Sequence, residues 1–143
     1  MTIATILANR ADGAVHYCPA GTSVRDAVGV LSRERIGAMP VMADGRVAGI
    51  FSERDLLHCI AREGAEVLDR TVDEVMTAPA ITVTRQTPVL EALSLMTRRR
   101  VRHLPVIEAE ALVGFVSIGD LVKHRMDHIQ HEAETMRSYI QSA

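Results

Sequence analysis

The sequence contains no tryptophan, and with two phenylalanines and two tyrosines its aromatic content is only 3% of 143 residues. Because hydrophobic residues still make up 48%, we expect a core of aliphatic side chains and methionine. The two cysteines, Cys18 and Cys59, are far apart and lack the Cys-x-x-Cys spacing of zinc and dithiol sites. Two isolated cysteines of this kind are predicted to be free, buried thiols.

The sequence also lacks a large excess of either charge, since the formal net charge is −2 although charged residues make up 24% of the chain. This balance is typical of a folded globular protein and does not indicate a broad basic surface for nucleic acid. The apolar run at residues 2–7 is too short to span a membrane, and no basic segment precedes it as in a signal peptide. We therefore expect a cytoplasmic protein without a membrane segment.

An internal repeat dominates the sequence. When the chain is shifted by 65 residues, residues 22–57 align with 87–122 without a gap, and 11 of 36 positions are identical. The identical pairs include Pro40 with Pro105 and Gly49 with Gly114. The chain therefore contains two copies of one structural unit.

Each copy predicts the order β-α-β-β-α. The first strands are expected at residues 14–18 and 80–83, with Thr22 and Thr87 as N-caps of the helices that follow. A tight turn at Asp44-Gly45 predicts a hairpin in the first copy. The last helices are expected to open at Ser52 and Ser117.

One such unit is too small to cover its own sheet, so we expect the two copies to pack sheet to sheet. The predicted fold is mixed α/β, with two tandem repeats related by a pseudo-two-fold axis and a long C-terminal helix. The predicted boundaries are 1–64 for repeat one with its lead-in, 65–125 for repeat two and 126–143 for a helical extension.

Four strings at matching offsets carry a family resemblance: IGAMPVM (36–42) with GIFSERDL (49–56), and VRHLPVI (101–107) with GFVSIGDL (114–121). This arrangement resembles the CBS domain pair, or Bateman module, of the free-standing bacterial type. The resemblance implies a regulatory role in which AMP, ATP, NAD(H) or S-adenosylmethionine binds in clefts between the repeats.

The Ser-x-x-Asp motifs at Ser52–Asp55 and Ser117–Asp120 have two interpretations. Their spacing is typical of a capping box at a helix N-terminus. The same position allows the carboxylate to accept hydrogen bonds from ribose hydroxyls, and the serine to meet a phosphate. The two interpretations are compatible, and the resemblance favours the second.

Arg102 and His103 directly precede a predicted strand. They can form a solvated basic edge, the usual fate of a charge run. The resemblance instead implies phosphate binding, for which arginine offers a bidentate fork and histidine a pH-dependent contact.

The resemblance divides the candidate residues between two unequal clefts. Gly37 and Ala38, which correspond to Arg102 and His103, carry no charge, so cleft two is expected to be poor in basic groups, and cleft one is the expected nucleotide site. The candidates of cleft one are Ser52, Arg54, Asp55, Thr77, Pro79, Ala80, Ile81, Arg102 and His103. The candidates of cleft two are Ala14, Val15, Gly37, Ala38, Ser117, Asp120 and Lys123.

The segment 120–141 contains no glycine or proline and predicts one long helix. Its apolar residues recur with spacings of 4, 3, 4, 3 and 4, the rhythm of a coiled coil: Val122, Met126, Ile129, Ala133, Met136 and Ile140. This stripe can cover the protein's own surface, a partner protein's helix or a second copy. Because the helix extends past the repeat unit, we expect a homodimer.

The sequence contains no phosphate-binding loop, dinucleotide motif, zinc-protease motif or nucleophile elbow. We expect no enzyme activity, no catalytic cofactor and no metal site, and interpret His124, His128 and His131 as a solvated helix face. The favoured function is an adenine-nucleotide sensor that regulates an unknown partner protein. The alternatives are a structural module with vestigial clefts and, less favoured, a nucleic-acid binder using residues 98–102.

Overall fold

The computed structural model describes residues 1–10 and 15–142. In chain order the helices and strands are α1 Ile3–Ala8, β1 Cys18–Pro19, α2 Val24–Glu34, β2 Ala38–Ala43, β3 Arg46–Ser52, α3 Glu53–Glu63, a 3-10 helix Ala65–Asp69, α4 Val72–Val75, α5 Val89–Arg99, β4 His103–Glu108, β5 Ala111–Ser117 and α6 Ile118–Ser142.

The strands form one small sheet in each repeat. The first sheet has the order β1-β2-β3, with β1 parallel to β2 and β2 antiparallel to β3, and the second consists of the antiparallel pair β4-β5. The registers repeat at the expected offset, since Met39 lies opposite Phe51 and Leu104 opposite Val116. The two sheets contact each other through β3 and β5. The predicted fold, with two repeats packed together and a long final helix, is confirmed.

The hairpin prediction is confirmed: Asp44 and Gly45 both have positive φ, as a two-residue turn of this kind requires. The cap predictions at Thr22 and Thr87 are wrong, because the helices begin one residue later and have Ser23 and Pro88 at their N-caps. The Ser23 hydroxyl accepts the Asp26 N–H at 3.1 Å and displaces the threonine from this role.

The first predicted strand of each repeat is shorter than expected. In repeat one only Cys18–Pro19 pairs, and Ala14 lies outside the described residues. In repeat two Val83 forms a single parallel bridge with Val106 instead of the strand expected at 80–83. These segments have few backbone partners because they run along the edge of each sheet.

Each repeat has its own core, built from the helix stripe, the inner face of the hairpin and a lead-in segment. Apart from Phe51, the buried side chains of the described residues are aliphatic or sulfur-containing, as the composition predicts. Cys18 and Cys59 are free and buried, and burial raises the pKa of the Cys18 thiol to about 11. That thiol is therefore protonated and inert at neutral pH.

The segment that precedes each repeat is called its lead-in here, and comprises residues 1–10 for repeat one and 72–81 for repeat two. The helix of each lead-in packs on the other repeat. Ile3 and Ile6 of α1 are buried in the core of repeat two, and Val72 and Val75 of α4 are buried in the core of repeat one. The backbone contacts match: Val72 N–H donates to Thr22 O at 2.7 Å, and Ile3 N–H donates to Thr87 O at 2.9 Å. The two repeats thus exchange their lead-in helices, which ties the pair into one unit.

Two equivalent glycines allow these lead-ins to cross the sheets. A Cβ atom on Gly49 would lie 2.7 Å from both Met76 Sδ and Thr77 O, and one on Gly114 would lie 2.8 Å from Leu7 Cδ2. A side chain at Gly49 would have to displace the backbone of the crossing segment, so glycine is a packing requirement there, whereas at Gly114 only the end of the Leu7 side chain would have to move.

Candidate functional site

A cavity with a volume of about 490 Å³ lies between the repeats and is open to solvent. All nine residues predicted for cleft one lie on its wall: Ser52, Arg54, Asp55, Thr77, Pro79, Ala80, Ile81, Arg102 and His103. They come from the start of α3, the lead-in to repeat two and the start of β4. A volume of this size is typical of small-molecule sites.

Asp55 is the centre of a hydrogen-bond network at the start of α3. Its Oδ2 accepts the Ser52 N–H and the Ser52 hydroxyl, each at 2.9 Å, while its backbone N–H donates to Ser52 Oγ at 3.2 Å. This is the predicted capping box. On the other oxygen, Thr77 Oγ1 donates to Asp55 Oδ1 at 2.8 Å. Because a carboxylate offers about four lone pairs, one acceptor position remains at Oδ1.

The apolar wall of cleft one is held in place by β3. Ile50 and Thr77 exchange two backbone hydrogen bonds, at 2.9 and 3.0 Å, so the lead-in continues the edge of the sheet. Pro79, Ala80 and Ile81 follow directly and face the cavity. A flat apolar group can therefore lie against this wall while its polar end reaches Asp55.

Cleft one also has a basic rim. Arg54, Arg99, Arg100 and Arg102 line the cavity and are exposed, and Arg54 Nη1 lies 3.5 Å from Arg100 O. Arg99 and Arg100 were not predicted for this cleft, although both belong to the basic run at 98–102. The same holds for the further lining residues Gly37, Ile50, Glu53, Leu57, His58 and Val101.

His103 lies between the two clefts and lines both. Its ring stacks on Phe115 with centroids 5.4 Å apart and an interplanar angle of 11°. Burial lowers the pKa of His103 below its ordinary value of 6.5, an effect that Arg102 reinforces and that Asp120 and Glu53 oppose. This shift favours the neutral imidazole at pH 7.

The second cavity corresponds to cleft two and has a volume of about 340 Å³. Five of the residues predicted for cleft two line it: Val15, Gly37, Ala38, Ser117 and Asp120. Lys123 is not among the lining residues, and Ala14 lies outside the described residues. Gly37 also lines cleft one, so a thin wall separates the two cavities.

The expectation that cleft two is poor in basic groups is wrong, because Arg10, His16 and Arg35 line it from other elements. Arg35 aligns with Arg100 of cleft one in the 65-residue repeat, so the repeat itself carried this signal. Arg10 lies outside the aligned blocks, and no local pattern pointed to it.

Arg10 binds the carboxylate of Asp120 in cleft two. One guanidinium nitrogen pairs with Asp120 Oδ2, and the other donates to Phe115 O at 2.6 Å. Asp120 also accepts the Ser117 N–H at 2.8 Å in its own capping box. The equivalent carboxylates thus have different partners, a neutral hydroxyl at Asp55 and a guanidinium at Asp120.

Metal-ligating side chains do not cluster anywhere in residues 1–10 and 15–142. Over the same ranges, the chain forms no helix that is both long and apolar enough to cross a membrane.

The repeats, the exchanged lead-ins and the paired clefts define a CBS domain pair. The CBS domain profile matches this chain twice, at residues 12–62 and 72–127, and the chain belongs to the CBS domain family.

Individual relatives agree with this assignment. A mitochondrial CBS domain-containing protein of Arabidopsis thaliana, CBSX3, is 38% identical over 136 residues, which cover 92% of this chain and 66% of that protein. The crystal structure of the CBS-domain containing protein ATU1752 from Agrobacterium tumefaciens has a TM-score of 0.82 at 36% identity, covering 87% of this chain and 99% of that chain.

A third similar structure is the CBS domain pair of protein MJ0100 in complex with 5-methylthioadenosine and S-adenosyl-L-methionine. Its TM-score is 0.78 over 90% of this chain and 98% of that chain. At 21% identity this similarity concerns the fold.

Proposed function

We propose that this protein is a regulatory module that binds an adenine nucleotide in cleft one and signals its occupancy to a partner protein. The observation that carries the proposal is the lining of the 490 Å³ cavity, which combines an apolar wall, a carboxylate and several arginines. These three surfaces correspond to the base, the ribose and the phosphates of a nucleotide. The fold is compatible with such a ligand, because the MJ0100 domain pair is solved with two adenosine-containing compounds.

The base is assigned to the wall formed by Pro79, Ala80 and Ile81, and the ribose to Asp55. The free acceptor position at Asp55 Oδ1 takes one ribose hydroxyl. Thr77 Oγ1 donates its own proton to Asp55 and can accept the second hydroxyl. Ser52 is less suited to a phosphate than its position predicts, because its hydroxyl proton is already donated to Asp55.

The phosphates are assigned to the arginine rim. Arg54, Arg100 and Arg102 lie on that rim, with Arg99 beside them, and at most Glu53 and Asp55 oppose their charge within the cavity. A net positive rim favours AMP, ATP or NAD(H) over the cationic S-adenosylmethionine. Within this group, more phosphates allow more bidentate contacts, so we expect ATP or a dinucleotide to bind more tightly than AMP.

Only cleft one is proposed as the nucleotide site. In cleft two Arg10 forms an ion pair with Asp120, on the oxygen that also accepts the Ser117 N–H, so a ribose there would compete with a guanidinium for the carboxylate. The Arg10–Asp120 pair therefore favours a structural role for cleft two.

The test is a calorimetric or thermal-shift panel of AMP, ADP, ATP, NAD, NADH and S-adenosylmethionine. A ligand at a hundred times its Kd stabilises the fold by about 2.7 kcal/mol. With an unfolding entropy of about 2.1 cal/mol/K per residue, that is roughly 9 °C for a chain of this length. A panel without any shift would contradict the proposal.

The matched variants are Asp55→Asn and Asp120→Asn. Both weaken an equivalent capping box and should lose about 0.5–2 kcal/mol through it, and Asp120→Asn should lose more because it also breaks the ion pair with Arg10. Asp55→Asn should in addition weaken ligand binding about tenfold or more through lost ribose contacts. Asp120→Asn should leave the affinity of cleft one within about threefold. Equal effects of the two variants on affinity would show that Asp55 does not hold the ligand.

A further inference from the structure

The C-terminal half of α6 projects away from the body of the protein. Leu121 is buried and His124, Arg125 and His128 are half-buried, whereas every residue from 129 to 142 is exposed. At 1.5 Å per residue this exposed part is roughly 20 Å long. Packing on the protein's own surface, one of the three interpretations of the stripe, is therefore wrong for this part of the helix.

The exposed helix carries an apolar seam, defined here as Val122, Met126, Ile129, Ala133, Met136 and Ile140. The large side chains are well exposed, for example 64% at Met126, 63% at Met136 and 69% at Ile140. A 14-residue helix that packs on nothing is only marginally stable in water. A seam with coiled-coil spacing supplies the missing stabilisation when a second helix covers it.

The charges beside the seam identify the occupant and its direction. In the heptad set by the seam, the g positions are Arg125, Glu132 and Tyr139, and the e positions are Lys123, Gln130 and Arg137. In a parallel pair of identical helices, g of one copy faces the next e of the other, which places Glu132 beside Arg137 and Arg125 beside the uncharged Gln130. An antiparallel pair would instead place Lys123 beside Arg137, two like charges.

We infer that two copies of this chain associate through the α6 seam as a parallel two-stranded coiled coil. The symmetry makes the contact self-complementary, with two Glu132–Arg137 pairs flanking Ala133 and Met136. This inference is independent of the ligand, since none of the seam residues lines either cleft.

The first experiment measures the mass of the full chain by sedimentation equilibrium. Wild type should show twice the chain mass of 15.6 kDa. Ile129→Lys/Met136→Lys should show the single-chain mass, whereas Thr135→Lys/Ser138→Lys adds the same charge away from the seam and should keep the doubled mass. Because all four positions are exposed, far-UV circular dichroism should confirm a folded body in every variant. A single-chain wild type, or a dimer that persists in the seam variant, would overturn the inference.

The second experiment tests direction. Arg137→Glu replaces two attractive pairs by two repulsive ones in the parallel dimer, so its dissociation constant should rise about fivefold. Glu132→Arg/Arg137→Glu restores opposite charges and should return within about twofold of wild type. In an antiparallel dimer Arg137→Glu would face Lys123 and tighten association, and that outcome would refute the parallel arrangement.

Discussion

Replacing Gly49 with alanine should destabilise the protein far more than the equivalent change at Gly114. Both glycines lie at the same position of the hairpin, so differences in strand propensity and unfolded-state entropy cancel between the two variants. What differs is the atom that the new methyl group meets. At Gly49 it is the Thr77 carbonyl and Met76 Sδ, each at 2.7 Å, and at Gly114 it is the end of the Leu7 side chain.

The magnitude follows from these contacts. Restoring an ordinary contact distance at Gly49 requires the lead-in to move by about 0.7 Å, which would stretch the two Ile50–Thr77 hydrogen bonds beyond about 3.5 Å. Each lost bond costs about 0.5–1.5 kcal/mol, and overpacking adds about 1–3 kcal/mol. A total of about 2–6 kcal/mol lowers Tm by roughly 7–20 °C for this chain length. Leu7 can rotate, so Gly114→Ala should cost less than about 1.5 kcal/mol.

Differential scanning calorimetry of both variants measures these losses. The control is Leu7→Ala, which removes the obstacle at Gly114, so that Gly114→Ala should cost nothing further in that background. Gly49→Ala should also weaken binding in cleft one, because the displaced lead-in carries Thr77 and the apolar wall. If the two glycine variants melt within about 2 °C of each other, the structural role assigned to the crossing at Gly49 is wrong.

Two further predictions concern the charged groups of the clefts. Burial lowers the pKa of His103 in the folded protein, so as the pH falls the unfolded chain takes up this proton at a higher pH than the folded chain does. The free energy of unfolding therefore decreases as the pH drops below 6.5. His103→Asn should therefore lose less stability than wild type between pH 7.5 and 5.5 in urea titrations, and an equal loss would contradict the assignment. Arg10→Gln should lower the free energy of unfolding by about 1–2 kcal/mol, whereas Arg25→Gln, whose pair with Asp69 is largely exposed, should change it by less than about 0.5 kcal/mol. Equal calorimetric losses for the two arginine variants would refute a stabilising contact at Arg10.

Features set by a few neighbouring residues could be predicted from the sequence. The turn at Asp44-Gly45 and the capping box at Ser52 depend on side chains within three positions, and both occur as expected. The helix start in repeat one was misplaced by one residue because Thr22 and Ser23 are both good caps, and Ser23 reaches Asp26 N–H. The Thr22 hydroxyl instead donates to Pro19 O at 2.7 Å.

Features that depend on chain segments far apart could not be predicted in this way. Arg10 contacts Asp120 across 110 positions, and no local pattern marks it as a cleft residue. The exchange of α1 and α4 between the repeats likewise could not be predicted from the spacing of apolar residues, because in the sequence both helices are only short apolar runs. Their equivalence emerges only from the shared hydrogen bonds to Thr22 and Thr87.

The exchange of lead-ins explains how a symmetric fold can bind asymmetrically. Each lead-in crosses a glycine and reaches the capping carboxylate of a cleft, so its sequence decides what that carboxylate meets. Thr77 gives Asp55 a neutral partner that can share its oxygen with a ribose, whereas Arg10 gives Asp120 a charge-assisted one. Both hydrogen bonds reach an ionised carboxylate, but only the Arg10 contact also joins opposite charges. A ligand that had to displace Arg10 would lose that ion pair and bind more weakly in cleft two than in cleft one. The proposed preference for cleft one therefore arises outside the aligned repeats, in the segments that precede them.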